Sequence, residues 1–131
     1  MSDARLAQLR EGVAAFNRGD AGPALAMFSE DVECKVAGDL MNVGTYEGHA
    51  GYLEMIRNWS EAWDSIEAEI IGAEELSGDH LMVEIHQRAI GAGSGVPVEM
   101  KIFWLFGFGG GEVKRFHMYS TREAAMAAAR E

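Results

Sequence analysis

The chain has 131 residues, of which 48% are hydrophobic and 24% charged, which is the size and composition of one soluble globular domain covering residues 1–131. Its net charge of −10 repels a phosphate backbone, and no apolar run reaches the about 20 residues of a membrane span, so we expect no nucleic-acid or membrane partner. The single cysteine, Cys34, excludes an internal disulfide and a thiolate metal cluster, and with no signal-peptide pattern either we expect a cytoplasmic protein without metal or cofactor.

Two helices are predicted in the first part of the chain. Apolar residues recur at spacings of three and four, which is typical of one face of a helix: Leu6, Leu9, Val13 and Phe16. This helix is expected to run over residues 2–18. Asp20 can cap a short second helix that has Pro23 in its first turn. Residues 31–36 then alternate between apolar and charged side chains, which predicts a strand.

A third helix and the remaining strands follow. A turn is predicted over residues 46–48, and the helix after it has an apolar stripe made of Tyr52, Met55, Ile56, Trp59 and Trp63. The period changes to two over residues 66–70 and again over 80–90, which predicts two strands. Residues 96–120 read as a long hairpin, because two runs rich in β-branched and aromatic residues flank a glycine-rich break.

The order of these elements predicts the fold class. Ser120-Thr-Arg-Glu matches a capping box before a short alanine-rich terminal helix, with Ser120 accepting from the amide of Glu123. Helices first and an antiparallel meander afterwards is an α+β arrangement, in which N-terminal helices cover a curved, mainly antiparallel sheet. We therefore expect a cone with an apolar interior and a short C-terminal helix.

Ten side chains are predicted to face the inside of this cone as a ligand pocket: Cys34, Tyr46, Met55, Trp59, Trp63, Gln87, Met100, Trp104, Phe116 and Met118. Aromatic and methionine side chains suit a flat hydrophobic ligand, because they offer large polarizable surfaces. The alternative is that the same side chains simply fill the core.

Asp39 and His117 are the candidate catalytic residues. Asp39 follows the first strand in an irregular stretch that can fold inward, and a carboxylate in an apolar cone has a raised pKa and can act as a base. His117 competes with Phe116 and Met118 for the inward direction, so we expect it to lie outward. Because Phe103 and Leu105 also point outward, the outer sheet face is predicted to form a homodimer.

Several segments in order along the chain carry a family resemblance: Phe16-Asn-Arg-Gly-Asp, Asp31-Val-Glu, Tyr46-Glu-Gly-His, Gly91-Ala-Gly-Ser-Gly-Val and Gly111-Glu-Val-Lys-Arg-Phe-His-Met-Tyr-Ser. Together they resemble the SnoaL-like branch of the nuclear-transport-factor-2-like superfamily. The resemblance implies the cone fold. The superfamily includes polyketide cyclases, ketosteroid isomerases, limonene epoxide hydrolases and dehydratases, and also members that only bind a ligand or a protein.

The positions where those enzymes resemble this chain hold no acid. The isomerase acids correspond to positions near Val36 and Trp104, the isomerase tyrosine to one near Gly12, and the acid of the cyclases and epoxide hydrolases to His117 or Met118. We therefore expect a protein that binds a small hydrophobic molecule. One alternative is a cyclase, isomerase or hydrolase acting on a hydrophobic cyclic or polyketide-like substrate by acid/base chemistry. The other is a dimeric interaction module with a filled core.

Overall fold

The structure, a computed structural model, describes residues 3–38, 40 and 43–130. The described residues form four helices, α1 (Asp3–Asn17), α2 (Gly22–Met27), α3 (Gly48–Ser60) and α4 (Arg122–Ala129). They also form six strands, β1 (Phe28–Val36), β2 (Gly44–Glu47), β3 (Trp63–Leu76), β4 (His80–Gly91), β5 (Pro97–Gly109) and β6 (Glu112–Tyr119). No helix in these ranges is long and apolar enough to cross a membrane.

The strands form one sheet in the order β2-β1-β6-β5-β4-β3. Only the β1–β6 pair within it is parallel, and the neighbours on either side of that pair run antiparallel. The register shifts because β1, β3 and β6 contain extra residues, and such bulges bend a strand and increase its twist. The α+β class and the mainly antiparallel, curved sheet with a short C-terminal helix are therefore confirmed.

The alternation in β5 separates two hydrophobic clusters, one on each face of the sheet. Ile102, Trp104 and Phe106 belong to the main core beneath α1, α2 and α3. Phe103 and Leu105 face the other way and pack with residues of α4. Since α4 covers them, they are only 7% and 3% exposed. The expectation that these two side chains require a partner subunit to cover them is wrong, and the oligomeric state stays a prediction.

The side chain of Asn17 joins α1 to the edge of the sheet. Its Nδ2 donates to the carbonyl of Ala68 at 3.0 Å, and its Oδ1 accepts from the amide of Ala68 at 2.8 Å. β3 is an edge strand, so the outward groups of Ala68 have no strand partner. The amide of Asn17 thus acts like one residue of an additional strand, and it fixes the end of α1 against β3.

Three local predictions need correction. Residues 46–48 are not a free turn: Tyr46 lies in β2 opposite Cys34, and the chain enters α3 at Gly48, whose φ of +72° favours glycine. Trp63 begins β3 instead of ending α3. The cap of α4 is Thr121, which accepts from the amide of Ala124 at 3.1 Å, so the predicted Ser120 cap is off by one residue.

Candidate functional site

An internal cavity lies between the helices and the inner face of the sheet. Its volume is about 40 Å³, enough for a few water molecules at most. Helices α1, α2 and α3 form its roof, and β4, β5 and β6 form its floor. Five of the ten predicted pocket residues line it: Trp59, Gln87, Trp104, Phe116 and Met118. Trp59 and Trp104 therefore face the same enclosed space from the roof and the floor.

The other five predicted pocket residues lie elsewhere: Cys34, Tyr46, Met55, Trp63 and Met100. Cys34 and Met55 are fully buried where α3 packs directly on β1, so side chains fill that part of the cone. Burial raises the pKa of the Cys34 thiol to about 12, which keeps it protonated and unreactive. Tyr46, Trp63 and Met100 are partly buried at the edges of the core.

An aromatic cluster forms one wall of the cavity, with Phe116 at its centre. The ring of Phe116 lies 5.1 Å from that of Phe106, 5.4 Å from Trp104, 5.6 Å from Phe28 and 6.0 Å from Tyr52, measured between centroids. Several of these pairs are edge-to-face, the arrangement that aromatic quadrupoles favour. The roles of Phe28 and Tyr52 were missed in the sequence, because they depend on how α2 and α3 dock on the sheet.

Two buried hydrogen-bond donors beside the cavity have no partner among the residues that the structure describes. The indole Nε1 of Trp59 donates to Oε1 of Gln87 at 2.9 Å. An indole N–H can only donate, so the Gln87 atom that it meets must be the oxygen, and the other terminal atom must be the amide nitrogen. That Gln87 Nε2 and the Nε1 of Trp104 are buried without an acceptor among the described residues. The apolar cavity thus has two unpaired N–H donors in its lining.

A larger pocket lies outside the cavity and shares a wall with it. This outer pocket, of about 380 Å³, is open to solvent between the end of α1, the end of α3 and the start of β3. Phe16, Tyr52 and Ile56 line both spaces. The outer pocket also has polar lining, including Asp20 and Asp64. These three hydrophobic side chains therefore lie between the outer pocket and the cavity.

The cavity lining is almost free of ionisable groups. Within the described residues it holds no carboxylate, imidazole or amine, and its single titratable group is Tyr52, whose pKa burial raises far above neutrality. Among the described residues, no group of three or more His, Cys, Asp or Glu side chains is arranged to hold a metal ion. Asp39, the first catalytic candidate, lies outside the described residues. The arrangement suits hydrogen bonding to a neutral molecule rather than proton transfer.

His117, the second catalytic candidate, lies on the outer face of the sheet, away from the cavity. Its Nε2 donates to Oε2 of Glu33 at 2.8 Å, and its Nδ1 accepts from the hydroxyl of Tyr119 at 3.1 Å. Burial lowers the pKa of His117, although the hydrogen bond and charge of Glu33 oppose this; Lys35 and Arg115 lower it further. The ring is therefore neutral at pH 7 and holds a structural hydrogen-bond chain.

This lowered pKa predicts an acid-sensitive contribution to stability. At pH values below the ordinary histidine pKa of 6.5, the unfolded chain binds a proton at His117 that the folded chain does not bind. The contribution of neutral His117 to stability is therefore present above pH 6.5 and is lost as the pH falls through the pKa of His117 in the folded chain. Urea unfolding at pH 7.5 and 5.5 should show a smaller pH-dependent loss in His117→Gln than in the unsubstituted protein. His86→Gln, which changes a more exposed histidine, is the control. Equal losses in all three proteins would contradict the prediction.

The fold is a cone of the nuclear-transport-factor-2-like type. The family model described as SnoaL-like domain matches residues 9–116, which is most of the chain. The chain therefore belongs to the SnoaL-like domain family. Among curated proteins no match to the chain is found.

Solved structures show the same fold at low sequence identity. An NTF2-like protein of unknown function from Burkholderia pseudomallei is 22% identical with a TM-score of 0.79, covering 100% of both chains. TerC, co-crystallised with polyporic acid, is 18% identical with a TM-score of 0.76, covering 96% of this chain and 98% of its own. A putative SnoaL-like polyketide cyclase from Jannaschia sp. is 14% identical with a TM-score of 0.73, covering 95% and 90%.

Proposed function

We propose that this protein binds a small, uncharged, flat hydrophobic molecule that carries a hydrogen-bond acceptor, such as a carbonyl oxygen. The observation that carries the proposal is the pair of unpaired donors, Gln87 Nε2 and Trp104 Nε1, in the lining of one apolar cavity. Each buried donor without a partner costs about 1–3 kcal/mol. An acceptor on a bound molecule would remove that cost, whereas a pure hydrocarbon would not.

The size of the site supports entry through the outer pocket. The cavity alone is too small for an aromatic ligand, but the outer pocket of about 380 Å³ lies within the range of about 300–1,000 Å³ that small-molecule sites occupy. Because Phe16 and Ile56 form part of the shared wall, rotation of these two side chains would join the two spaces. The ligand would then place its acceptor against Trp104 and extend toward solvent.

Binding is favoured over acid/base catalysis by the chemistry of the lining. In the described residues the carboxylates near the site, Asp20 and Asp64, belong to the outer pocket and not to the cavity. A general base must come within hydrogen-bond reach of the proton that it removes. The similar fold of TerC, which was co-crystallised with polyporic acid, supports a small molecule as the occupant of such a cone.

Two ligands of equal shape test the proposal. Acetophenone has a carbonyl oxygen where α-methylstyrene has a =CH₂ group, so only acetophenone offers a hydrogen-bond acceptor. In a nitrogen-15 spectrum, with the indole signals assigned from Trp→Phe variants, acetophenone should shift the Trp104 indole N–H downfield and α-methylstyrene should not. We also expect tighter binding of acetophenone, and Trp104→Phe should reduce that preference about tenfold.

Trp63→Phe is the matched control. It removes another buried indole N–H that has no partner in the described part of the chain, but Trp63 does not line the cavity. The preference for acetophenone over α-methylstyrene should survive this change. Equal affinity of the unsubstituted protein for the two ligands, or no binding of either, would overturn the proposal.

A further inference from the structure

A second concave surface lies at the opposite end of β3 from the outer pocket and does not touch the cavity. This groove, of about 720 Å³, is bounded by the β3–β4 turn, the adjoining ends of β5 and β6, and the end of α4. Its charged and polar lining includes Lys114, Arg115, Arg130 and His80. We refer to it as the basic groove, defined by these four residues and Gly107.

The charge of the basic groove is opposite to that of the chain. The whole sequence has 21 acidic residues against 11 lysines and arginines, yet three of those cations line this groove and no carboxylate does so among the described residues. Lys114 lies 3.5 Å from Asp31, an exposed pair of the kind that contributes little. Arg115 and Arg130 have no ion pair within the described part of the chain. With respect to the described residues, two guanidinium groups are thus available to bind an anion.

His80 adds a polar atom with a defined role. The side chain is nine-tenths buried, and its Nδ1 lies 3.1 Å from the carbonyl of Ser77. A carbonyl can only accept, so Nδ1 carries the proton and, in the neutral ring, Nε2 is an acceptor. This Nε2 has no partner in the described residues, and it is turned toward Gly107. The groove therefore offers one acceptor among several cationic donors.

Gly107 leaves the space between the histidine and the arginine open. His80, Gly107 and Arg115 lie directly opposite one another on β4, β5 and β6, so they share one face of the sheet. A Cβ at Gly107 would meet Cβ of Arg115 at 3.4 Å and Nε2 of His80 at 3.5 Å. Its φ is not positive, so the backbone does not require glycine here. A glycine inside a strand often marks a bulge or the close approach of a ligand, and a register shift lies directly beside Gly107.

We propose that the basic groove binds a phosphate group that still carries a proton, either inorganic phosphate or the monoanion of a phosphate monoester on a small molecule. The oxygens would accept from Arg115 and Arg130, whose planar forks match oxyanion geometry, and from Lys114. The remaining O–H would donate to Nε2 of His80. Sulfate has the same shape as inorganic phosphate and the same charge as HPO₄²⁻, but it carries no proton at pH 7, so it cannot make that last hydrogen bond.

A small molecule fits the groove better than an anionic membrane. The groove is concave and its positive charge is local, whereas the net charge of −10 repels an extended anionic surface. The proposal is independent of the ligand proposed for the cavity, because no residue lines both sites.

Calorimetric titration with inorganic phosphate and with sulfate at pH 7 tests the inference. We expect phosphate to bind more tightly than sulfate. Arg115→Gln and Arg130→Gln should each weaken phosphate binding about tenfold, because each removes a hydrogen-bonding partner with full charge. Arg57→Gln, which removes an exposed cation on α3, is the matched control and should leave binding unchanged.

A variant that leaves the charge of the groove unchanged distinguishes a specific binding site from non-specific electrostatic attraction. The methyl group of Gly107→Ala would make only ordinary contacts, so the chain should fold, but it would fill the space between Arg115 and His80 and weaken phosphate binding. Competition between phenyl phosphate and inorganic phosphate would show that the bound phosphate group belongs to a small molecule. Binding only to phosphatidic acid vesicles would overturn that assignment. Equal affinity for sulfate, or equal losses in the Arg57 and Arg115 variants, would overturn the inference itself.

Discussion

Replacing Phe116 by alanine is expected to lower the free energy of unfolding by about 3–5 kcal/mol, which is the usual cost of truncating a buried phenylalanine. Phe116 is 3% exposed, and its ring contacts four other aromatic rings around the cavity. The truncation removes these contacts and enlarges a cavity that already exists, and the helices above it cannot close the space without losing contacts of their own. Urea unfolding, followed by tryptophan fluorescence, measures the effect.

Phe108→Ala is the control for this prediction. Phe108 is only partly buried, and among the described residues its aromatic neighbour is Phe106, at 6.4 Å between centroids. Its truncation should cost less than half as much as that of Phe116. Phe116→Leu, which keeps most of the volume, should also cost less. If Phe108→Ala and Phe116→Ala were equally destabilising, Phe116 would not be the centre of the aromatic cluster.

Asn17→Ala is expected to destabilise the protein by about 2 kcal/mol, because it removes two hydrogen bonds and leaves both backbone groups of Ala68 without that partner. The effect should be local as well as global. α1 forms part of the roof of the cavity, and this side chain fixes the end of α1 to β3. Urea unfolding measures the loss of stability, and amide hydrogen exchange at Ala68 should become faster at the same time.

The adjacent residue provides the control. Arg18→Ala removes an exposed ion pair, 3.8 Å from Glu11, and should change stability by less than about 0.5 kcal/mol. Protection of the Ala68 amide should then stay as in the unsubstituted protein. An Asn17→Ala variant with unchanged exchange at Ala68 would show that other contacts hold α1 in place.

Alternation along the strands predicted the two faces of the sheet correctly. In β5, Ile102 and Trp104 lie in the main core and Phe103 and Leu105 in the cluster under α4, as their positions in the sequence require. Side chains two residues apart in a strand always share a face, so this assignment needs only local information. The same pattern did not say what covers the outer face, because α4 comes later in the chain and docks through non-local contacts.

The candidate site was harder to predict than the fold. Trp59, Gln87 and Trp104 line the cavity, whereas Cys34 and Met55 lie where α3 packs on β1 and leaves no space. The bridge from Asn17 to Ala68 also joins residues 51 positions apart, and no periodicity connects them. The distance between two residues far apart in the sequence depends on how whole helices and strands dock. The spacing of residues along the chain does not specify that docking.

By itself, the sequence determined the helices and most of the strands, although not β2. It also determined the α+β class and the apolar character of the interior, since these follow from the spacing of side chains along a locally regular backbone. Only the tertiary structure decided how much of the cone is filled, which donors remain unpaired and which cations meet at one groove. Those features arise where α1, α3 and α4 come to rest on a twisted sheet, and a shift of a few ångströms in any of them would change the result.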